Sequence, residues 1–125
     1  MNQLVKSFIK PTDKVLTLNL YRQAFEITGT PEKMFELRSN SKFIRDRLYK
    51  GGIVIDSNKL NYNYVLLVWG YGDGRPFKLF TINSIRIFLS NCFFIFSNGV
   101  KVSMKSGDFI IYFNDLVLTS NSITQ

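Results

Sequence analysis

The sequence VLLVW at residues 65–69 decides the fold class, because a continuous apolar run of strand length predicts a strand that is covered on both faces. Upstream, VLTLNL at 15–20 alternates with a period of two, which predicts a half-buried strand with its leucines on one face. Downstream, residues 80–89 alternate in two opposite phases that meet at Asn83-Ser84, the pattern of a β-bulge. The remaining predicted strands are 33–38, 93–96 and 109–118.

Two short helices are predicted early in the chain. Residues 21–28 contain no helix breaker and end at Gly29, while residues 42–49 follow the possible N-caps at 39–41 and end at Gly51-Gly52. Many short strands separated by turns in one small domain favour a barrel or a strongly bent sheet over a doubly wound sheet. The fold class is therefore predicted to be α+β, a small β-barrel of about six strands with these two helices.

The length of 125 residues leaves room for one domain. We expect that domain at 14–118, preceded by an N-terminal leader at 1–13 and followed by a flexible tail at 119–125. The first ten residues have only a short apolar island and do not form a signal peptide. The apolar stretch 79–96 carries Arg86 at its middle, which argues against a membrane span. We expect an intracellular protein, in the cytoplasm or an organelle interior, that is not secreted.

The composition excludes several kinds of chemistry. The chain has no histidine, which removes Ser-His and Cys-His nucleophile systems and imidazole metal sites. Its single cysteine, Cys92, cannot form an internal disulfide or a thiolate metal cage, and its apolar surroundings predict that it is buried. We predict no metal site and no cofactor.

The charge balance suggests an anionic partner. Lys and Arg number 16 against 9 Asp and Glu, and the net charge is +7. Nucleic acid is the commonest partner of such a chain. The alternative, that the charge only keeps a small aromatic-rich protein in solution, stays open at this point.

Three charged or glycine-rich segments are candidates for a site. In the strand 33–38, Glu36 and Arg38 project to one face because they are two residues apart, and Lys33 lies nearby. If this face lines a concavity, the trio can bind or protonate a polar ligand. The alternative is a solvated edge strand with a Glu-Arg pair that contributes little to stability.

The second candidate is the glycine-dense loop at 70–76. Gly70 lets the backbone approach a ligand, Tyr71 offers a ring for stacking on a base, and Arg75 offers a guanidinium for a phosphate. The loop lacks the spacing of a Walker loop or a dinucleotide fingerprint. It is equally consistent with an ordinary turn between two strands.

The third candidate is the basic segment 38–50, in which five Lys and Arg are opposed only by Asp46, a net charge of +4. On a helix, Lys42 and Arg45 form one row and Arg47 with Lys50 a second, an arrangement that can follow phosphates. The alternative is a solvated helix surface.

In this order, the segments resemble the ASCH domain family, relatives of the PUA-like RNA-binding barrels, over residues 14–118. The resemblance rests on VLTLNL at 15–20, on EKMFELR at 32–38, which is similar to the family's G-x-K-x-x-E-x-R signature, on NYVLL at 63–67 followed by Gly70-Tyr71 and Pro76, and on FIIY at 109–112. Two positions depart from the family pattern. Pro31 replaces the signature glycine, and Trp69 replaces the usual asparagine.

The resemblance implies a PUA-like barrel that binds RNA through the cleft around the signature. Members similar to the acetylcytidine amidohydrolases use a Lys with a Thr three residues later and a Glu elsewhere. Glu36 stands at the threonine position here, and a carboxylate cannot replace a hydroxyl nucleophile without changing the mechanism.

The leading hypothesis is therefore a non-catalytic RNA-binding module with a basic cleft. The alternatives are a small hydrolase acting on a modified nucleoside or RNA, with Lys33 and Glu36 as an acid–base pair, and a structural subunit of a larger protein or ribonucleoprotein assembly. The residues predicted to bind nucleic acid are Lys33, Glu36, Arg38, Lys42, Arg45, Arg47, Gly70, Tyr71 and Arg75.

Overall fold

The computed structural model describes residues 1–50, 53–54 and 62–120, and within them it has an α+β fold with a strongly curled five-stranded half-barrel sheet. The helices are α1 (Gln3–Phe8), α2 (Arg22–Ile27) and α3 (Lys42–Leu48). The strands are β1 (Val15–Leu20), β2 (Phe35–Arg38), β3 (Tyr49–Lys50), β4 (Ile53–Val54), β5 (Tyr64–Trp69), β6 (Phe77–Ile87), β7 (Cys92–Ile95), β8 (Lys101–Met104) and β9 (Phe109–Thr119).

The main sheet has the strand order β1-β5-β6-β9-β2, in which β1 and β5 are parallel and the other neighbours antiparallel. The β5 strand, which contains VLLVW, is interior to the sheet and covered on both faces, as predicted. Val65 and Leu67 are buried in one hydrophobic cluster, and Leu66 and Val68 in another. The strands β1 and β2 are the two edges of the curled sheet.

The two faces of the sheet are covered by different elements. On the first face, Phe25 of α2 and Ile44 and Leu48 of α3 are buried against β1, β5, β6 and β9. On the second face, Val5 of α1 is fully buried over β5 and β6. The other half of that face, over β2 and β9, is covered by the β7–β8 hairpin.

Several local predictions are confirmed. The burial of β1 alternates, with Leu16, Leu18 and Leu20 buried. The register between β6 and β9 shifts three times between Leu79 and Ser84, and the last shift includes the predicted slip. Ser41 acts as the N-cap of α3, since its hydroxyl accepts from the Ile44 N–H at 3.2 Å.

The strand count differs from the prediction. Seven strands of at least four residues and two of only two residues are described, rather than about six. Sequence reasoning missed the two-residue strands β3 and β4, and it missed β8, whose sequence KVSM is too short to show a period. The sequence prediction also had two helices rather than three, because the six-residue α1 lies in the segment interpreted as a leader.

Cys92 is exposed, contrary to the prediction that it is buried. The β7 strand is four residues long and belongs to a two-stranded hairpin. Only Phe94, and Phe96 just beyond the strand, turn inward toward the sheet, whereas Phe93 and Ile95 are exposed. In a two-stranded hairpin, a run of apolar residues therefore does not predict that every side chain of the run is buried.

The helix predicted at 42–49 ends at Leu48, because Tyr49–Lys50 form β3. Gly51-Gly52 and residues 121–125 of the predicted tail lie outside the described residues. At the start of the predicted tail, β9 ends at Thr119, and the Ser120 hydroxyl accepts a hydrogen bond from the Phe77 N–H at 3.1 Å. In the described part of the chain, every helix is too short or too polar to cross a membrane.

Gly29 gives a direct test of the turn after α2. It has a φ of +91°, and a Cβ there would lie 2.5 Å from Cζ of Phe80. We expect Gly29→Ala to lower the free energy of unfolding by about 2–4 kcal/mol in urea titrations, because it combines a left-handed backbone with overpacking. The matched control is Gly74→Ala, where the added Cβ meets no atom within 4 Å; equal effects at both glycines would contradict the described turn.

Candidate ligand-binding cleft

The signature trio forms one buried network. Lys33 and Glu36 have only 2% and 3% of their surface exposed, so the alternative of a solvated edge strand is wrong. The Lys33 ammonium lies 3.1 Å from Glu36 Oε1, and Arg38 donates to Glu36 Oε2 from both Nε (3.1 Å) and Nη2 (2.9 Å). As predicted from their spacing, Glu36 and Arg38 lie on one face.

The carboxylate of Glu36 also satisfies its own strand. Its Oε1 accepts from the backbone N–H of Leu37 at 2.9 Å. In the β2–β9 pair, Phe113 N–H donates to Met34 O, and because hydrogen-bonded pairs alternate along antiparallel strands, the Leu37 N–H points to the open edge of the sheet. Glu36 thus supplies an acceptor where a neighbouring strand would otherwise be needed.

Two guanidinium groups donate to backbone carbonyls of the edge strand β1. Arg38, at the end of β2, donates from Nη2 to the carbonyl oxygen of Asn19 in β1 at 2.9 Å. Arg47 of α3 donates from Nη1 to the carbonyl oxygen of Thr17 in the same strand at 3.2 Å. The side chain of Arg38 therefore bridges the gap that backbone pairing leaves between β1 and β2, and that of Arg47 links α3 to β1.

The ammonium group of Lys33 has a second partner that sequence reasoning missed. It lies 2.6 Å from Oγ1 of Thr28, a fully buried residue after α2, and 5.3 Å from the centroid of the Phe96 ring. Thr28 was assigned no role because it follows a short helix and lacks a motif. A hydroxyl, an ammonium and a carboxylate meet at this point.

The turn of the β7–β8 hairpin is hydrogen-bonded to the segment that precedes β2 and to α2, which holds the hairpin over this network. The carboxylate of Glu32 accepts from both the backbone N–H and the hydroxyl of Ser97, and Asn98 donates to the carbonyl of Gln23. The two hydrogen bonds from Ser97 lower the pKa of Glu32. This contact holds Phe96 against Lys33.

Two other ionisable groups have shifted pKa values. Lys78 donates to the carbonyls of Phe25 and Thr28 at 2.7 and 2.9 Å; burial lowers its pKa, Glu26 opposes that shift and the charge of Lys33 adds to it. Tyr62 donates to the carbonyl of Arg47 at 2.9 Å. Burial raises the pKa of Tyr62, and the positive charge of Arg47 opposes this.

The network opens into a cleft of about 520 Å³. Arg38 and Lys101 bring positive charge to its wall, and Tyr21 and Phe43 bring aromatic rings that are 61% and 60% exposed. Glu36 is the only acidic residue among the described residues that line it, and four donors already occupy its carboxylate. The remaining lining residues are Asn19, Leu20, Ala24, Lys33, Leu37, Ser39, Ser41, Ile44, Val100, Val102 and Met104.

The basic residues of α3 lie beside this cleft with different partners. Lys42 is exposed and forms an ion pair with Asp46 at 2.9 Å. Arg45 donates to the backbone carbonyl and side-chain oxygen of Asn40, and Arg47 lies over the ring of Phe43 at 4.1 Å. The side chain of Lys50 lies outside the described residues.

The glycine-rich loop contacts Asn19 and Leu20 at the end of β1 but contributes no residue of its own to the cleft lining. The Gly70 N–H donates to Leu20 O at 2.9 Å, and its carbonyl accepts from Asn19 Nδ2 at 2.6 Å. Tyr71 is 83% exposed, and Arg75 stacks on Trp69 at 4.9 Å. Arg75, Gly72 and Asp73 help to line a smaller cavity of about 170 Å³, which shares Asn19 with the cleft.

Of the predicted site residues, the structure thus brings Lys33, Glu36 and Arg38 to the cleft but leaves Gly70, Tyr71 and Arg75 outside its lining. Sequence reasoning also missed Asn19 and Lys101, which no motif marks. In the described part of the chain, no three His, Cys, Asp or Glu side chains cluster as metal ligands. Comparisons with protein-family models, with curated proteins and with solved structures find no match.

The energetic role of the Glu36 carboxylate can be measured by Glu36→Gln. The amide leaves the buried ammonium of Lys33 without its counter-charge, so we expect the free energy of unfolding to fall by about 3–5 kcal/mol. The control is Glu26→Gln, which removes the exposed Arg22–Glu26 pair and should change stability by less than about 0.5 kcal/mol. Urea titration at constant pH compares the two, and a Glu36→Gln protein as stable as the control would contradict the buried network.

Proposed function

We propose that the protein binds RNA through this cleft, in a PUA-like barrel related to the ASCH domains. The observation that carries the proposal is the charge of the lining: Lys33, Arg38 and Lys101 stand against the single carboxylate of Glu36, which leaves two positive charges in excess. Exposed aromatic rings beside positive groups are the usual means of holding unpaired bases and their phosphates.

The guanidinium of Arg38 is oriented for such a contact. Its Nε and Nη2 are fixed by Glu36 and Asn19, whereas its Nη1 has no partner among the described residues. A guanidinium with a fixed plane loses little freedom when it binds a phosphate or a base edge. Lys42 and Arg45 extend the positive surface along α3.

Salt dependence tests this proposal. If Arg38, Lys42, Arg45 and Lys101 contact about four phosphates, the logarithm of the affinity for single-stranded RNA falls with the logarithm of salt concentration at a slope of about −3. Lys101→Glu should reduce the slope by about 1. Lys105→Glu makes the same charge change on an exposed residue outside the cleft lining and should change it less. A flat salt response in fluorescence anisotropy would contradict RNA binding.

A hydrolase acting on a modified nucleoside or RNA is a second candidate, favoured by the 2.6 Å contact between Thr28 Oγ1 and Lys33 Nζ. A lysine that has passed a proton to its neighbouring carboxylate can take the proton of such a hydroxyl and make it a nucleophile; Thr28 is fully buried. The structural-subunit hypothesis is supported by the exposed Phe93 and Ile95 and stays a prediction.

The hydrolase candidate is tested with a panel of acylated nucleosides and short RNAs, with product release followed by chromatography. Turnover by the wild-type protein should be retained by Thr28→Ser, which keeps the hydroxyl, and lost by more than about a hundredfold in Thr28→Val. Absence of turnover by the folded wild-type protein, or equal turnover by both variants, would exclude Thr28 as a nucleophile for these substrates.

A further inference from the structure

The β8 strand has an open edge, since within the described residues it pairs only with β7. The Phe96 N–H donates to Val100 O at 2.9 Å, which makes these residues a hydrogen-bonded pair. Because such pairs alternate with non-bonded ones in an antiparallel ladder, Val102 also turns its N–H and C=O toward β7. Lys101 and Ser103 therefore turn theirs toward the open side.

This open edge borders the cleft. Val100, Lys101 and Val102 belong to its lining. The inward side chains of β8, including Met104, are buried against Leu37 of β2 in the hydrophobic cluster beneath the hairpin. Of the two residues on the open edge, Lys101 belongs to the cleft lining and Ser103 does not, so the open edge meets the cleft at Lys101.

The groups on this edge have the hydrogen-bonding capacity of a base-recognition site. An outward strand residue presents an N–H donor and a C=O acceptor side by side, and the edges of nucleobases likewise carry adjacent donors and acceptors. The rings of Tyr21 and Phe43 offer apolar surface in the same cleft, and Arg38 has its Nη1 without a partner among the described residues.

We infer that the cleft holds one unpaired base, whose hydrogen-bonding edge pairs with the backbone N–H and C=O of Lys101 on the open edge of β8. The inference rests on the proposed RNA binding and adds how the base is recognised. A base in a duplex already uses this edge for its complement, so the cleft selects single-stranded RNA.

An extended polypeptide can also add to an open strand edge. The observations favour a base over a peptide for two reasons. The β8 strand offers only two outward residues, Lys101 and Ser103, which is a short ladder. The positive groups and exposed rings of the cleft suit a nucleotide, which combines a flat base with a phosphate.

The test uses three labelled probes of equal length in fluorescence anisotropy: a single-stranded RNA hexamer of mixed sequence, the same backbone without bases, and the hexamer annealed to its complement. The wild-type protein should bind the single-stranded hexamer at least about tenfold more tightly than either other probe, since each loses the base contacts. Equal binding of the abasic probe would overturn the inference and leave phosphate binding alone.

Proline substitutions test the edge itself. Proline removes a backbone N–H, and at an outward position it leaves the β7–β8 hydrogen bonds intact. Lys101→Pro should bind the single-stranded hexamer about tenfold more weakly than Lys101→Met, which loses the charge but keeps the N–H. Should Lys101→Pro fail to fold, the Lys101 amide of the ¹⁵N-labelled wild-type protein gives a second readout: it should shift on addition of the single-stranded hexamer but not of the abasic probe, and equal shifts with both would overturn the inference.

The outcomes separate this inference from the proposal on which it rests. No binding of any RNA by the wild-type protein would overturn both. RNA binding with equal affinities for Lys101→Pro and Lys101→Met, in folded proteins, would overturn only the base-recognition step. Tighter binding of an acetylated acidic hexapeptide than of the RNA hexamer, lost in Lys101→Pro, would replace the base by a polypeptide.

Discussion

The arrangement of the site depends on the hydrogen bonds that the buried carboxylate of Glu36 accepts. It accepts hydrogen bonds from Lys33, from the Leu37 backbone and twice from Arg38. Through Arg38 it reaches the carbonyl of Asn19 and so joins the two edge strands of the curled sheet. A charged group buried this deeply is tolerated only when all its lone pairs are satisfied, and this requirement fixes the positions of Lys33 and Arg38 relative to β1.

The same requirement separates structural cations from those available to a ligand. The ammonium of Lys33 donates to Glu36 and Thr28, and the guanidinium of Arg47 donates from one nitrogen to the Thr17 carbonyl. Arg38 is held by Glu36 and Asn19 through Nε and Nη2, its Nη1 has no partner among the described residues, and Lys101 lines the cleft. The positive charges that make up the net charge of +7 are therefore not equally available to a ligand. The groups that can attract an anionic partner lie at the junction of β2, β8 and α3.

Sequence reasoning succeeded where the determinants are local. The apolar run 65–69 implied burial on both faces, the alternation of β1 gave its buried leucines, and a phase slip marked the irregular part of β6. It failed where burial depends on segments distant in the chain. Phe96 covers Lys33 from a hairpin more than sixty residues away, and Lys101 enters the cleft from a strand too short to show a period. The exposed position of Tyr71 likewise follows from contacts of the Gly70 backbone with β1, which no motif encodes.

The most direct measurement of the central claim is an NMR titration of the ¹⁵N-labelled protein with single-stranded RNA, following backbone amides and arginine side chains. A base held in the cleft predicts the largest shifts at the Arg38 guanidinium and at the amide of Lys101. Shifts confined to the 70–76 loop or to the outer face of the β7–β8 hairpin, with Arg38 unchanged, would contradict the account.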